Sequence, residues 1–390
     1  MTVSYWQDAS SEQTIECDVC VVGAGVVGLY LARLLAGQGR SVVVLEARHV
    51  AAGATGRNAG MVLTGSAYYY HQAVATYGRE LAHQLWLLSL HNRDIVKGLS
   101  RELGTLFIEN GSLLLALDDT EAEDLTHAYD AMCDDDIQCK ITYKDPLKRG
   151  FTAVIEQPGD AGIHPVQFCE AMARSMDARL FEQSEVHAIE PLPGGGVELR
   201  SRRVTVRCGM AALCTNAYAP LLHPYFESKV VPTRGQVLRT EPLGTMLFNQ
   251  MCYCDYGYEY FRQLPDTSIL LGGWRHHFRE AEVGYEDRVT ADIQGGLQGF
   301  LVRYFPEAAN LRVTHRWSGT MGFSMDGIPL VGSLPDMPNV YFAVGFTGHG
   351  LGFGLATAER LAAHMLFGRD LEWLDAKRLD STSEEEPGKH

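Results

Sequence analysis

Three glycines near the N terminus have the spacing of a turn that holds phosphate groups. They follow Cys17–Val22, an apolar run typical of a buried strand, and stand at Gly23, Gly25 and Gly28. Gly23 permits the tight turn, Gly25 lets a pyrophosphate approach the backbone, and Gly28 lets the next helix lie against the strand. Val27 begins the apolar face of that helix, whose first N–H groups and positive dipole end attract phosphate. The pattern predicts a dinucleotide site.

An acidic residue closes the second strand of this unit. Ser41–Leu45 is again of the buried type, and Glu46 follows it, 18 residues after Gly28. A carboxylate at that place accepts hydrogen bonds from ribose hydroxyls and disfavours a 2′-phosphate. Strand, glycine turn, helix, strand and acid therefore occur in the order of a nucleotide-binding βαβ unit. The motif alone does not separate FAD from NAD.

A second strand, glycine loop and helix occur close to the C terminus. Asn339–Val344 predicts a strand, Gly345–Gly350 reads GFTGHG, and a helical period continues to about Leu366. Because this unit lies so far along the chain from the first, we expect both ends of the chain to build one nucleotide-binding domain. The predicted fold class is α/β, with a Rossmann-like domain and a second, mainly antiparallel-sheet substrate domain.

The segments between the two glycine units predict where the domains divide. Val74–Ser100 has the period of a long helix or helix pair, and Leu106–Leu117 has the pattern of a β-hairpin that turns at Asn110 and Gly111. Beyond Arg369 the chain becomes polar and acidic. We expect a nucleotide domain of residues 14–95, 147–222 and 326–370, a substrate domain of residues 96–146 and 223–325, and a loose tail at 371–390.

The composition is that of an ordinary globular protein with an acidic balance. The chain has 390 residues, of which 33 are basic and 48 acidic, so its net charge is −15. Acidic residues spread along the chain argue against a nucleic-acid binder and against binding to an anionic membrane surface. The N terminus lacks an export signal, and the longest apolar run, Val19–Leu35, is interrupted by glycines and Arg33. Nine cysteines without framework spacing suit reduced thiols, so we expect a cytoplasmic protein with no membrane span.

Other pairs of residues suggest chemistry but lack the spacing that it needs. Cys17 and Cys20 lie on the first predicted strand, where alternation sends their side chains to opposite faces. Cys252 and Cys254, like the histidine pair at 276 and 277, lack partners at the spacing of a zinc site, so no metal site is predicted. The absence of G-x-S-x-G and of a P-loop removes the commonest hydrolase and ATPase interpretations.

Candidate catalytic residues come from one alternating segment and one loop. Within Tyr256–Arg262, the side chains of Tyr258, Tyr260 and Arg262 share one face of a predicted strand. They form either the wall of a substrate pocket or an ordinary sheet surface with amphipathic aromatics. His349 is either a residue of the reaction site or a turn histidine bonded to the backbone. The catalytic candidates are therefore Tyr258, Arg262 and His349.

The glycine units and the segments near them resemble a known family. The N-terminal unit, Ala54–Gly60 (ATGRNAG) and the GFTGHG loop look like those of FAD-dependent amine and amino-acid oxidoreductases of the D-amino-acid-oxidase-like group, which includes glycine and sarcosine oxidases. Ser4–Trp6, the GRNAG segment and Thr215–Tyr218 look closest to the γ-glutamylputrescine oxidoreductase-like branch of that group. The resemblance covers roughly residues 4–368 and implies FAD as the cofactor.

The resemblance also implies which residues contact FAD. Glu46 would take the adenosine ribose, the backbone of Val186 the adenine, and Thr215 the region of the pyrophosphate. The loop Gly345–Leu351 would line the flavin C2 carbonyl and N1, where N–H groups at a helix N terminus stabilise negative charge. The implied cofactor residues are Gly23, Gly25, Val27, Gly28, Glu46, Ala47, Arg48, Ala54, Thr55, Arg57, Asn58, Ala59, Gly60, Met61, Val186, Thr215, Gly345, Gly348, His349, Gly350 and Leu351.

Three positions depart from the pattern of the amino-acid and sarcosine oxidases. Met321 stands where the resemblance implies the arginine that pairs with a substrate carboxylate, and Gly352 where it implies a lysine. A carboxylate beside methionine would lack its bidentate partner. The departures favour a substrate bound by its amine, unless Arg262 or Arg275 supplies the charge. The cysteine that attaches FAD covalently in sarcosine oxidases is matched near Gly319, so we expect non-covalent FAD.

The expected activity is the FAD-dependent oxidation of the C–N bond of a small amine. A hydride passes from the α-carbon to flavin N5, the imine is hydrolysed, and O₂ is the expected acceptor, giving H₂O₂. A quinone or carrier as acceptor stays open. The nearer alternative is a glycine, sarcosine or D-amino-acid-type oxidase with a relocated carboxylate-binding arginine. The alternative of another class is a non-catalytic flavin-binding assembly or interaction protein.

Overall fold

The computed structural model describes residues 13–380 of the chain. Within that range the strands are β1 (Gln13–Val22), β2 (Val42–Leu45), β3 (Met61–Val62), β4 (Phe107–Ile108), β5 (Ser112–Leu115), β6 (Lys140–Thr142), β7 (Val154–Gln157), β8 (Ala161–Ile163), β9 (Arg179–Phe181), β10 (Val186–Pro191), β11 (Val197–Ser201), β12 (Val204–Leu213), β13 (Val230–Thr240), β14 (Met251–Cys254), β15 (Glu259–Gln263), β16 (Ile269–Gly273), β17 (Val313–Ser324), β18 (Leu330–Ser333) and β19 (Val340–Val344). The α-helices are α1 (Val26–Gly37), α2 (Ala54–Arg57), α3 (Tyr70–Tyr77), α4 (Arg79–Leu103), α5 (Asp119–Asp134), α6 (Pro165–Ser175), α7 (Ala291–Tyr304) and α8 (Gly350–Phe367).

The described part of the chain divides into two compact units. Unit 1 comprises residues 13–56, 165–232 and 321–380, and unit 2 comprises Arg57–His164 and Thr233–Thr320. Residues 57–95 and 147–164, which the sequence assigned to the nucleotide domain, belong to unit 2, and residues 223–232 and 321–325 belong to unit 1. The functional boundaries of the cofactor and substrate domains stay a prediction.

The sheet of unit 1 is the one that the N-terminal βαβ pattern predicts. Its strands lie in the order β10-β11-β12-β1-β2-β9, and β19 joins β12 and β18. The long strand β1 is parallel to both β2 and β12, and its last residues Val19–Val22 are fully or almost fully buried. Helices α1 and α8 pack together, and a Cβ atom at Gly354 would lie 3.0 Å from Val27. The predicted α/β, Rossmann-like architecture is confirmed.

Unit 2 is built on a second sheet of eight strands, in the order β17-β13-β16-β15-β14-β5-β7-β6. The pairings of β13 with β16, β16 with β15, β15 with β14, β5 with β7 and β7 with β6 are antiparallel, and that of β14 with β5 is parallel. One face packs against α7 through a cluster of aromatic rings in which Phe261, Phe300 and Phe305 are buried. The strands β3, β8 and β4 form a small sheet of their own. The expected second unit with a mainly antiparallel sheet is therefore present.

The predicted hairpin at Leu106–Leu117 was wrong. Both strands form, but β4 pairs with β8 while β5 pairs with β14 and β7 in the other sheet. The backbone at the turn explains the difference, because Gly111 donates to the carbonyl of Asp160 and accepts from the amide of Met251. Partners distant in sequence thus replace the local ladder of a hairpin. Of the two possibilities predicted for Val74–Ser100, a long helix or a helix pair, the structure has the pair, α3 and α4, which is interrupted at Gly78, where φ is +81°.

The predicted loose tail was wrong for residues 371–380. This segment forms two short 3₁₀ turns and buries Leu371, Leu374 and Ala376. Arg378 also forms an ion pair with Asp326, with an N–O distance of 2.7 Å. Three apolar anchors therefore hold a segment whose average composition is polar. Residues 381–390 and Ser4–Trp6 lie outside the described residues. Among residues 13–380, no helix is long and apolar enough to cross a membrane.

Candidate cofactor and active site

Each glycine of the N-terminal turn in unit 1 has a steric reason to be glycine. Gly23 has a φ of +104°, and a Cβ atom there would lie 2.7 Å from the carbonyl oxygen of Cys214. A Cβ atom at Gly28 would lie 2.0 Å from the carbonyl oxygen of Gly23, so α1 approaches its own strand closely. A Cβ atom at Gly25 would lie 3.0 Å from Oγ1 of Thr55. Since α1 begins at the next residue, the amides of its first turn lie at this glycine turn, and that of Val26 donates to Oγ1 of Thr55.

Glu46 is held beside the turn with its carboxylate oriented by the backbone. The residue is only 9% exposed. Oε2 accepts from the amide of Ala24 at 2.8 Å, and Oε1 accepts from the amide of Arg48 at 2.9 Å. Each carboxylate oxygen keeps further acceptor capacity, which is what two ribose hydroxyls require. Ala47 is exposed, and the guanidinium of Arg48 lies 5.9 Å from the ring centroid of Tyr218.

The predicted cofactor segment Ala54–Met61 is divided between the units. In unit 1, α2 begins at Ala54, and Oγ1 of Thr55 accepts from the amide of Val26 at 3.2 Å. This bond ties the segment to the glycine turn. A Cβ atom at Gly56 would lie 2.3 Å from the carbonyl oxygen of Ala51, so the helix is closely packed there.

The rest of that segment is held inside unit 2. Arg57 forms an ion pair with Asp287 at 2.7 Å and donates to the carbonyl of Ser318 at 2.7 Å. Asn58 accepts from the amide of Gly60 through Oδ1 at 2.7 Å. Ala59 and Met61 are buried in one apolar cluster of this unit. Their contacts with a cofactor stay a prediction.

Two buried polar atoms of unit 1 lack partners in the described part of the chain, one in Thr215 and one in His187, the neighbour of Val186. Oγ1 of Thr215 is buried and has no hydrogen-bond partner within the described residues. Val186 is buried at the start of β10, and Nδ1 of the adjacent His187 is likewise buried without a partner there. Buried polar atoms are rarely left unsatisfied, so these two point to a bound polar molecule.

Asn216 is a positioning residue that the sequence reasoning did not assign. Its Oδ1 accepts from the amides of Gly345 and Phe346 at 3.0 and 3.3 Å. Its φ is +45°, and a Cβ atom at Gly322 would lie 2.8 Å from that Oδ1. The side chain thus joins the segment after β12 to the C-terminal glycine loop. The available signal was its place directly after Thr215 in the segment that carried the resemblance.

The C-terminal glycine loop connects β19 to α8 within unit 1. Gly345 and Gly348 have φ values of +73° and +80°, which glycine adopts without strain. His349 precedes the first helical residue, Gly350, and its Nδ1 lies 3.2 Å from the carbonyl oxygen of Thr347. Burial lowers the pKa of His349, so the imidazole is neutral at pH 7.

This contact is that of a turn histidine, and a role for His349 in the reaction stays a prediction. Leu351 is buried in the first turn of α8. Met321, at the position where the resemblance implies an arginine, also lies at this loop. Its Sδ would be 3.6 Å from a Cβ atom at Gly348.

Arg262 is a buried arginine of unit 2 that is bound to backbone oxygens. It is 5% exposed, and one terminal nitrogen donates to the carbonyls of Gly60, Ala59 and Ile163 at 2.9, 3.3 and 3.4 Å. Burial lowers the pKa of Arg262 to about 10, so the guanidinium stays charged at neutral pH. A Cβ atom at Gly162 would lie 2.6 Å from its other terminal nitrogen. Arg262 therefore fastens the Ala59–Gly60 backbone to β8.

Tyr258 does not share a strand face with Arg262, contrary to the sequence prediction. The strand β15 begins at Glu259, and Tyr258 lies in the preceding turn. The left-handed conformations of Asp255, Tyr256 and Gly257 end the alternation before Tyr258 is reached. The Tyr258 hydroxyl accepts from Arg279 at 2.9 Å, and the guanidinium of Arg275 lies 4.8 Å from its ring centroid. The structure thus places Tyr258 among cations.

A buried acid beside Tyr258 was missed by the sequence reasoning. Glu259 is 1% exposed and accepts from the amide of Trp274 at 3.0 Å. Nε2 of His276 lies 3.0 Å from Asp255, and its ring lies 4.7 Å from that of Tyr258. Burial raises the pKa of Glu259 to about 9, so it keeps a proton at neutral pH, while the hydrogen bond from His276 lowers the pKa of Asp255. Nothing in the local sequence distinguishes Glu259 from an exposed strand residue.

The family of the chain follows from the comparisons with known proteins. The model of the family described as DAO, FAD dependent oxidoreductase, matches residues 18–364. The chain belongs to this family and is an FAD-dependent oxidoreductase. FAD, rather than NAD, is therefore its cofactor.

Two curated relatives are similar over most of their length. The probable oxidoreductase OrdL of Haemophilus influenzae is 26% identical over 92% of this chain and 84% of its own. The γ-glutamylputrescine oxidoreductase of Escherichia coli is 27% identical over 95% of this chain and 86% of its own. Among solved structures, the glycine oxidase of Geobacillus kaustophilus has a TM-score of 0.79 at 21% identity, covering 93% of this chain and 99% of its own. The similarity to this solved structure shows that the two chains share a fold.

The polar groups of unit 1 fit the adenosine and pyrophosphate parts of FAD. The bare glycine turn lies at the start of α1, Glu46 presents a carboxylate, and Oγ1 of Thr215 is buried without a partner. Helix N termini and glycine backbone bind phosphate, and a carboxylate binds ribose.

The position matched to the cysteine of covalent flavin attachment is Gly319, in unit 2. A Cβ atom at Gly319 would lie 2.8 Å from that of Arg57, so this position has no room for a side chain as the structure stands.

Proposed function

We propose that the protein oxidises the C–N bond of a small primary or secondary amine, with O₂ as the electron acceptor. The products are a carbonyl compound, formed when the imine is hydrolysed, a released amine or ammonia, and H₂O₂. FAD, held without a covalent bond, would supply the acceptor for the hydride that leaves the substrate carbon. Amines and amino acids are the substrates named for relatives such as γ-glutamylputrescine oxidoreductase and glycine oxidase.

The proposal of an amine substrate rests on the hydrogen bonds that Arg262 makes to the backbone. Nη1 of its buried guanidinium donates to three backbone carbonyls of unit 2, so this nitrogen is committed to holding the chain, whereas Nε has no partner within the described residues. Met321, at the other position considered for a carboxylate partner, supplies no charge. A substrate carboxylate bound beside Met321 would be desolvated without a bidentate partner, and one bound at Arg262 would share the guanidinium with the backbone carbonyls, so both places are costly for a carboxylate. This supports recognition of the substrate through its nitrogen.

The chain's own residues contribute binding, charge stabilisation and exclusion of water. The loop Gly345–Gly350 leads into the N terminus of α8, whose N–H groups stabilise negative charge on a bound group. The neutral imidazole of His349 is suited to accept or hold a proton at Nε2, because its Nδ1 faces the Thr347 carbonyl. A neutral amine is already a competent hydride donor, so no strong base is required.

The test is anaerobic reduction of the purified flavoprotein, followed by absorbance at the flavin bands. We expect a diamine or an N-alkyl amine to bleach the flavin, and glycine, sarcosine and D-alanine to leave it oxidised. Admission of O₂ should restore the bands and release H₂O₂. Bleaching by the amino acids alone would overturn the proposal in favour of an amino-acid oxidase.

A variant of Arg275 tests which of the two substrate classes, amines or amino acids, the protein oxidises. It is half-buried beside Tyr258, and it is the remaining arginine weighed for a carboxylate. In the Arg275→Met variant, the relative kcat/KM values of different amines should stay as they are in the wild type. A loss of kcat/KM confined to carboxylate substrates would instead assign Arg275 to carboxylate binding and contradict the proposal.

Acid precipitation of the protein tests how FAD is attached. Non-covalent FAD remains in the supernatant, whereas covalently bound FAD would precipitate with the protein.

A further inference from the structure

Two helices of unit 2 bring together three side chains that are typical metal ligands. His71 lies in the first turn of α3, and Asp124 and His127 lie three residues apart on one face of α5. One donor atom from each residue lies within 4.8 Å of the others. Two imidazoles and one carboxylate form a ligand set that zinc and related divalent ions use.

The geometry of the three side chains is close to that of a bound site. Nε2 of His71 lies 3.5 Å from Oδ1 of Asp124. The ring centroids of His71 and His127 are 5.8 Å apart, with the planes inclined at 64°. With Zn–N bonds of about 2.0–2.1 Å and tetrahedral angles, two imidazole centroids on one ion lie about 5 Å apart. Because His127 is exposed, a small rotation of its side chain can bring the two ring centroids to the distance expected for imidazoles on one ion.

The surroundings prepare the ligands for an ion. His71 lies on a helix of unit 2 and its side chain is partly buried. Nδ1 of His71 is buried and has no hydrogen-bond partner within the described residues. The hydroxyl of Tyr256 donates to Oδ2 of Asp124 at 2.8 Å, which orients the carboxylate and leaves its other oxygen toward His71.

The second group of such residues in unit 2 is less suited to a metal. Asp255, Glu259 and His276 also present donor atoms within 4.8 Å of one another. Glu259 keeps a proton there at neutral pH, because burial raises its pKa to about 9. An ion would have to displace that proton in a buried place. At the first group His127 leaves the site open to solvent.

We propose that His71, Asp124 and His127 bind a divalent transition-metal ion, with Zn²⁺ the preferred one, and that the ion joins α3 to α5. The three protein ligands leave a fourth position for water. The ion carries no redox change and acts on stability, since it cross-links two helices of the folded protein. The proposal is independent of the substrate of the flavoenzyme.

The experiment is zinc binding by the untagged holoprotein, measured by equilibrium dialysis and elemental analysis. We expect one zinc per chain in the wild type and binding weakened at least about tenfold in the His127→Ala variant. His127 is exposed, so this variant retains the fold. The matched control is His276→Ala, which removes a histidine of the second group and should leave the zinc bound. Loss of the zinc in His276→Ala and not in His127→Ala would overturn the proposal, as would equal binding by wild type and His127→Ala.

A second readout reports the geometry of the ion. Co²⁺ in a site with nitrogen and oxygen ligands gives visible bands at longer wavelength than oxidised flavin, so a difference spectrum isolates them. We expect the bands in the wild type and in His276→Ala, and their loss in both His127→Ala and Asp124→Asn. Zn²⁺ should also raise the Tm of the wild type and not that of His127→Ala. Identical spectra for wild type and His127→Ala would contradict the assignment.

Discussion

At the scale of single residues, Arg262 was a candidate for the reaction site, but its hydrogen bonds to backbone carbonyls give it a structural role. In Arg262→Met the carbonyls of Ala59, Gly60 and Ile163 lose their donor. A buried polar group left unpaired costs about 1–3 kcal/mol, so we expect a fall of that size in the free energy of unfolding in urea. Activity should fall for all substrates together, since the lost function is positioning. The control is Arg288→Ala, whose side chain is 60% exposed and should change little.

A selective loss of carboxylate substrates in Arg262→Met would contradict this interpretation. It would show that the guanidinium binds substrate despite its backbone bonds. The Arg262→Lys variant refines the comparison, because lysine keeps the charge but cannot reproduce the planar fork. We expect Arg262→Lys to be intermediate in stability.

Glu259 gives a pH dependence whose sign follows from its raised pKa. The folded protein holds the Glu259 proton up to about pH 9, whereas an unfolded glutamate releases it near 4.5. Between those values the folded state binds more protons, so its stability decreases as the pH rises, by at most about 1.4 kcal/mol per pH unit. In Glu259→Gln this contribution disappears, and the slope of unfolding free energy against pH should flatten between about pH 7 and 8.5.

That pH window separates Glu259 from the other buried groups. Burial raises the pKa of Asp160 only to about 6, and it lowers the pKa values of His71 and His349, so the midpoints of these groups lie below the window in which Glu259 acts. The control is Glu280→Gln, an exposed acid that should leave the slope of the wild type unchanged. An equal slope in wild type and Glu259→Gln would show that Glu259 is ionised in the folded protein.

At the scale of elements, α1 offers two glycines whose replacement by alanine should have opposite effects. A Cβ atom at Gly25 would meet Oγ1 of Thr55 at 3.0 Å and cover the backbone that a pyrophosphate approaches. We expect Gly25→Ala to weaken FAD binding at least about tenfold, a cost of about 1.4 kcal/mol. At Gly37, in the last turn, nothing lies within 4 Å, so Gly37→Ala should bind FAD normally and gain up to about 1 kcal/mol of stability.

Fluorescence titration of the apoproteins with FAD measures both variants. Flavin emission changes when FAD binds, and urea unfolding gives the stability of each apoprotein separately. If Gly25→Ala binds FAD as tightly as Gly37→Ala does, the assignment of the turn to the pyrophosphate fails. A general loss of folding in Gly25→Ala would show up in the urea curve of the apoprotein.

The elements that the sequence predicted best are those whose partners are near in sequence. The strand, turn, helix and strand around Gly23–Gly28 follow from local pattern, because β1 and β2 are parallel neighbours joined by α1. The hairpin at Leu106–Leu117 failed because β5 takes its partners at β14 and β7. The position of Tyr258 failed because three left-handed residues in the preceding turn carry no single sequence signature. Long-range pairing and backbone conformation were therefore the limits, along with burial at Glu259.

At the scale of the whole molecule, most of the predicted cofactor residues and the proposed zinc site belong to different units. The glycine turn, Glu46, Thr215 and the C-terminal loop are all in unit 1, whereas His71, Asp124 and His127 are in unit 2. Each ligand stabilises the segments that it contacts by mass action. Zn²⁺ should therefore slow amide hydrogen exchange in α3 and α5, and FAD in the segments of unit 1 that line the turn.

Hydrogen exchange with FAD and with FMN tests the cofactor assignment along the whole chain. We expect FAD to protect the amides around Gly23–Gly28, Glu46–Arg48, Thr215 and Gly345–Leu351, and those of Arg57–Met61 if the sequence prediction for that segment holds. FMN lacks the adenosine, so it should leave Glu46–Arg48 unprotected while still protecting Gly345–Leu351. Equal protection of Glu46–Arg48 by both ligands would remove the ribose role of Glu46, because its carboxylate would then respond to a molecule without that ribose. Loss of protection at Gly345–Leu351 with both ligands would remove the flavin from the loop before α8.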